Sequence, residues 1–377
     1  MKKILQSTLE KHRVSWLELF YDLVYVVVIA KLAHVVTYGH NGHLGLSEFL
    51  MFIALFIPVW WAWTGHALYA TRFYDDSVLD RLLTLGQMFL VTLMSLYIKD
   101  AFQGEGQKFA LSYAAIRGLL VVMYLRVYFS NQEMRPLTSC LATGFAVGAS
   151  LWLASAFLPT TWMYAFWVAG LLIDFATPFR CRPLLKTAGV HKHHLPERYG
   201  LLTIILLGES VASLTGALGP QDLTMSALSI AFLGFVSLGA IWWHYFEVIE
   251  RVVIDRELGA AHLIIYGHLP ILIGLALFAS ALRQNIVGSL PVTDITLLFS
   301  VSISLYLLPV LLIAQQVQPK DERWPLRRNT LLVIVLLVVI TALRDLLNNT
   351  GVGLLIAGLM VMYVYLNTPK HSALQNG

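Results

Sequence analysis

The chain has 377 residues, 58% of them hydrophobic and only 13% charged, with a formal net charge of +4. An ordinary soluble domain is nearer a quarter charged, and apolar runs of about 18 residues or more recur from end to end, longer than a soluble core requires. With a mean hydropathy of +0.70, this excludes a soluble enzyme. The lack of any basic run interleaved with aromatics excludes a nucleic-acid partner. The expected fold is all-α: a polytopic helical bundle in the lipid bilayer.

The basic N-terminus "MKKILQSTLEKHR" precedes an apolar stretch too long and too charged for a signal-peptide core. No A-x-A site follows it, so it reads as an uncleaved first span. Twelve spans are expected, near 16–36, 48–70, 82–98, 109–129, 138–157, 161–177, 199–217, 224–246, 260–282, 295–316, 331–346 and 352–367. Of the 26 Lys and Arg, nineteen fall in segments on the N-terminal side of the membrane and four on the other. The positive-inside rule then puts both termini in the cytoplasm and favours an even number of spans in the cytoplasmic membrane.

The long basic connection at 179–198 divides the chain near its middle, giving halves 1–178 and 199–377. A second inside connection is expected at 317–330. Echoes between the halves suggest a six-plus-six parallel repeat. Glu18 answers Glu197, Trp60-Trp61 answers Trp242-Trp243, and Gly86 answers Gly267, all at an offset of about 180 residues. Two cysteines give no disulfide framework. Cys140 lies in an apolar segment and Cys181 in the basic connection, so free thiols are expected.

In chain order, the residues lipid penalises begin with Glu18. Ser15 stands three residues before it, which fits a capping box. Asp22 is one turn further on the same face, too deep to cap. Lys31 falls in the outer half of the same span. Span two carries Trp60, Trp61, Trp63 and His66. Span four carries Arg117 and Arg126. Glu197 follows Pro196 at a helix start, where a carboxylate complements the dipole. Glu209 lies about 20 Å beyond Pro196, near mid-membrane. Trp242 and Trp243 end span eight, where interfacial anchoring is the plainer role. His268 lies inside span nine, either as a core histidine or as a proton relay. Depth alone lets Glu209 meet Arg117 and Asp22 meet Arg126, with Lys31 an alternative for Glu209. Intramembrane charges of this kind mark either a coupling or substrate site or static packing pairs. The aromatics of spans two and eight are candidates to wall a pathway.

The histidine clusters, "HKHH" at 191–194 and His34, His40 and His43, have no fixed ligand spacing. The first reads as a solvated basic loop, and no metal is assigned. No phosphate-binding loop, nucleophile elbow, zinc-protease or dinucleotide motif appears, and no catalytic residue is nominated.

The segments "WLELFYDLVYVVVIAKLAH", "WWAWTGHALYATRFYDD", "HLPERYGLLTIILLGES" and "YGHLPILIGLAL" resemble the signature segments of the bacterial low temperature requirement A proteins, across nearly the whole chain. Tyr21 and Tyr25 stand where that family usually has phenylalanine, and "TRFYDD" shortens an acidic stretch. The resemblance implies an integral membrane protein linked to growth in the cold, without implying a reaction. The leading expectation is a secondary transporter or proton- or ion-coupled permease. Asp22 and Glu209 would bind the ion, Arg117 and Arg126 would be counter-charges, and the lipid bilayer and a small solute or ion would be its partners. A homodimer is left open. The alternatives are a non-transporting sensor or scaffold, and a membrane-embedded lipid- or cofactor-binding protein or enzyme.

Overall fold

The structure, a computed structural model, describes residues 14–37, 43–187, 194–219, 223–252, 258–317 and 320–368. Among these, thirteen α-helices are present and no strand. They are α1 (Trp16–Thr37), α2 (Leu46–Phe73), α3 (Val78–Tyr97), α4 (Gly106–Ser130), α5 (Arg135–Ser155), α6 (Thr160–Arg180), α7 (Arg182–Thr187), α8 (His194–Gly216), α9 (Met225–Ile249), α10 (Leu258–Val287), α11 (Val292–Val317), α12 (Lys320–Ala342) and α13 (Asn349–Asn367).

Eleven of them, α2–α6 and α8–α13, are long and apolar enough to cross a membrane. The short α7 is not. Helix α1 has 22 residues, roughly 33 Å at 1.5 Å per residue, but carries Glu18, Asp22 and Lys31. Polar side chains start several helices. Ser77, Thr224 and Asn348 accept from the backbone N–H of Asp80, Ala227 and Gly351 at 3.2, 3.1 and 2.8 Å, satisfying donors that a helix start leaves open.

Helix α12 departs most from expectation. It begins at Lys320, so most of the connection expected at 317–330 is helical. Pro325 sits early in the helix, where little of the hydrogen-bond ladder is lost. The expected 179–198 connection likewise contains α7 and the first turn of α8.

The chain packs as two compact units. The described residues within 1–35, 46–205 and 253–265 form the first, and those within 36–45, 206–252 and 266–377 the second. In the first unit α3, α4, α5 and α6 pack successively and α2 packs on α4. In the second, α9 packs on α13 and α11, and α12 packs on α11 and α13. The surface polarity is that of a chain solvated by lipid: Phe89, Leu172, Phe232 and Val338 are exposed, while Asp22, Arg117, Arg198 and His268 are fully buried.

The cysteines correct the sequence reading. Cys140 and Cys181 form a disulfide, with Cα atoms 6.1 Å apart, joining the start of α5 to the end of α6. Sequence separation hid the pairing; the α5–α6 hairpin brings the two positions together. They border an apolar cluster that includes Tyr69, Leu120, Tyr124, Leu141 and Phe145.

Candidate functional site

Helix α1 presents Glu18, Tyr21, Asp22 and Tyr25 at spacings of three and four, hence on one face, and all four are buried. Arg198, in the second turn of α8, meets this face. Its Nη2 and Nε donate to the two Asp22 oxygens at 2.6 and 3.1 Å, and its Nη1 donates to Glu18 Oε1 at 2.8 Å. Trp63 Nε1 also donates to Asp22 Oδ1, at 2.7 Å. Every guanidinium nitrogen is used, a fork geometry that lysine lacks.

Glu18 serves two purposes. Its Oε2 accepts from Ser15 N at 2.8 Å while its own N–H donates to Ser15 Oγ at 3.3 Å, so the capping box forms. Its Oε1 faces Arg198 and lies 3.2 Å from His194 Nε2. On the other side of the ring, His194 Nδ1 is 3.0 Å from Thr71 Oγ1, whose hydroxyl donates to Ala67 O at 2.7 Å. Thr71 therefore has no proton left and accepts from Nδ1–H. A donor on Nε2 then makes the ring an imidazolium; otherwise the proton sits on Glu18. Among the described residues, two carboxylates, one guanidinium and one imidazole share the site, and these four need one further proton to be neutral.

Deeper in the unit, Tyr21 stacks on His66 at 3.9 Å. Gln87 Oε1 receives the Tyr21 hydroxyl at 3.4 Å and lies 2.8 Å from His66 Nδ1, while Gln87 Nε2 donates to Ile116 O at 3.2 Å. Next along α4, Arg117 is fully buried with its Nε 2.9 Å from Asp174 Oδ2. Trp60, Trp61 and Trp63 are buried in the same unit, and Lys31 Nζ donates to Ser95 Oγ at 3.3 Å.

The pairings expected from depth are corrected. Arg126 pairs with Asp75 and with Asp80, the latter at 2.6 Å, instead of Asp22. Arg117 pairs with Asp174 instead of Glu209. Depth fixes one coordinate of a residue and leaves its direction around the helix open. Asp75 lies in the connection between α2 and α3. Burial alone pushes its carboxyl up, but hydrogen bonds from Ser77 and the Arg126 guanidinium outweigh this and hold it below the usual carboxylate range.

Glu209 belongs to the second unit, is half-buried, and has no ion-pair partner among the described residues. His268 Nε2 is 2.8 Å from the Tyr245 hydroxyl, and His244 Nδ1 is 2.9 Å from that of Tyr306. Trp242 and Trp243 are exposed on α9, where interfacial anchors belong. Glu197 is exposed beside the buried Arg198.

No group of metal-ligating residues occurs among the described residues. His43 is 3.2 Å from Asp294, whereas His40, His191, His193 and the His34 side chain lie outside the described set. His194, read as part of a solvated loop, is instead buried against Glu18.

Sequence reasoning passed over Arg198, His194 and Asp174. The signals were there: His194 and Arg198 are spaced i, i+4, and Asp174 is the lone acid in its apolar span.

The family described as "Bacterial low temperature requirement A protein (LtrA)" matches residues 13–365. An uncharacterized protein of Rhizobium meliloti (strain 1021) is 24% identical over 283 residues, covering 71% of this chain and 68% of that protein.

Proposed function

The chain belongs to the bacterial low temperature requirement A family, and we propose that it is a proton- or cation-coupled secondary transporter of the cytoplasmic membrane. In this reading α1 is a twelfth span, the halves are parallel six-helix repeats, and both termini are inside. One observation carries it: counted over the described residues, the buried Glu18–Asp22–Arg198–His194 cluster is one proton short of neutrality, with Glu18 and His194 3.2 Å apart to share that proton. A low-dielectric interior strongly disfavours the uncompensated charge, so the cluster takes up and gives back a single proton. Asp22 is the coupling acid and Arg198 its counter-charge. Glu209 is a second acid, and Trp60, Trp61, Trp63 and His66 wall the route.

The test is dissipation of an imposed pH gradient in proteoliposomes. Flux should appear with the wild type and fall in Asp22→Asn and Glu209→Gln; unchanged flux in both variants would remove the assignment. A second reading, a static scaffold, draws on the full use of Arg198 by its two acids. It expects vesicles containing the protein to be as proton-tight as empty ones.

A further inference from the structure

The transport reading leaves Cys140 and Cys181 unused, and their place in the fold is uncommon for a disulfide. The bond ties the first turns of α5 to the residue that follows α6. Cys181 stands between Arg180 and Arg182, both exposed, so the bond lies toward the polar edge of its unit. That edge leads into the basic 179–198 connection. In the orientation proposed above it faces the cytoplasm, where thiols are kept reduced and a disulfide is usually transient, catalytic or redox-sensing.

The two sulfurs differ in access. Cys181 is fully buried in the apolar cluster with Leu137, Leu141 and Leu185, whereas Cys140 packs against that cluster and is half-buried. An attacking thiolate therefore reaches the Cys140 side of the bond. The Cys181 side holds α7. The Cys181 carbonyl accepts from the N–H groups of Leu184 and Leu185, both at 3.0 Å. Six residues separate the end of α7 from His194, whose Nε2 is 3.2 Å from Glu18.

We propose that Cys140–Cys181 is a reversible thiol–disulfide site, opened by a small cytosolic thiol, whose state sets how firmly α7 is held ahead of His194. The incoming thiolate bonds to the Cys140 sulfur and expels Cys181 as a thiolate. A second small thiolate then attacks the sulfur that the first one contributed, and Cys140 leaves as a thiolate. Two small thiols are oxidised to their disulfide, and the cysteine pair gains the two electrons and two protons they lose. An excess of the small disulfide runs both steps backwards. Reduction removes the covalent tie between α5 and the start of α7, leaving α7 to its backbone bonds and the packing of Leu185. The inference rests on the orientation given in the transport reading and stands without transport.

The experiment equilibrates the full-length protein in nanodiscs with mixtures of reduced and oxidised glutathione, and traps thiols with a maleimide that shifts the gel band. Both forms should coexist at mixtures matching the cytosol, from either starting state. A pair that stays oxidised, or stays reduced, at every such mixture would overturn the proposal. In the reduced wild type, brief labelling read by mass spectrometry should mark Cys140 at least about tenfold faster than Cys181, because the buried sulfur is shielded. Equal rates would contradict the assigned point of attack. Amide exchange over 182–187 should rise on reduction. A Cys140→Ala, Cys181→Ala protein should match the reduced wild type and ignore the reductant. Exchange that is the same in both states of the wild type would remove the hold on α7. Labelling of reduced membranes by an impermeant maleimide from the periplasmic face alone would overturn the orientation and this inference with it. A reversible pair in proton-tight vesicles would sink the transport reading and leave the redox site.

Discussion

Arg198→Met isolates the electrostatics of the buried cluster. The substitution keeps an unbranched side chain of similar length but removes three hydrogen bonds, at 2.6, 2.8 and 3.1 Å. Among the described residues it leaves Glu18 and Asp22 with His194, Trp63 and the Ser15 N–H for compensation. Breaking a buried ion pair by deleting one partner costs about 3–5 kcal/mol, because the surviving charge stays desolvated. Arg198→Lys keeps the charge and loses the fork that binds both Asp22 oxygens, so its cost should be smaller, about 1–3 kcal/mol. Removing all the ionisable groups together, as Glu18→Gln, Asp22→Asn, His194→Gln and Arg198→Met, leaves no orphaned charge and should recover most of the loss. The assay is thermal or dodecyl-sulfate unfolding of the purified proteins in one detergent at one pH. An Arg198→Met protein as stable as wild type would refute the reasoning, as would a quadruple variant no better than the single one.

Gly148→Ala should destabilise by about 1–3 kcal/mol through overpacking, since its Cβ meets Asp174 Oδ1 at 2.3 Å. Gly118→Ala, with nothing within 4 Å, should stay within about 1 kcal/mol of wild type; unfolding of the two variants side by side checks this. Reduction of Cys140–Cys181, 41 residues apart, should lower stability by about 2–4 kcal/mol. Maleimide labelling of the unreduced, denatured protein should find no free thiol. The Asp75 carboxyl is held below its unfolded value, so the stability it adds is present above the unfolded value and lost as pH falls through the folded one. Asp75→Asn should flatten that acid limb of the melting-temperature profile; an unchanged limb would contradict it.

Much of the fold was legible because lipid imposes a length and a polarity on each crossing helix. Each of the twelve apolar runs became a helix, and the capping box at Ser15 and Glu18 formed as spacing suggested. The connection expected at 317–330 is mostly helix because α12 starts at Lys320, ahead of its apolar run. The site was legible in part. Asp22 stood out because an acid two turns into a greasy helix has no capping role. Its partner did not, because Arg198 follows a basic segment and counts there as one more cytoplasmic charge. Only its bonds to Glu18 and Asp22 of α1 show that it is buried. Asp174 and the Cys140–Cys181 bond depend in the same way on the α5–α6 hairpin, which pairs residues far apart in sequence and carries no local signal.

Proton counting on the purified protein bears most directly on the exchangeable proton. Wild type and the quadruple variant would be titrated in parallel across the neutral pH range, where paired carboxylates stay ionised, in the same nanodiscs. A difference curve in which wild type releases one further proton in a single step is the expected result, because the variant has lost the place that Glu18 and His194 share. Superimposable curves would mean that the cluster is permanently paired and holds no mobile proton.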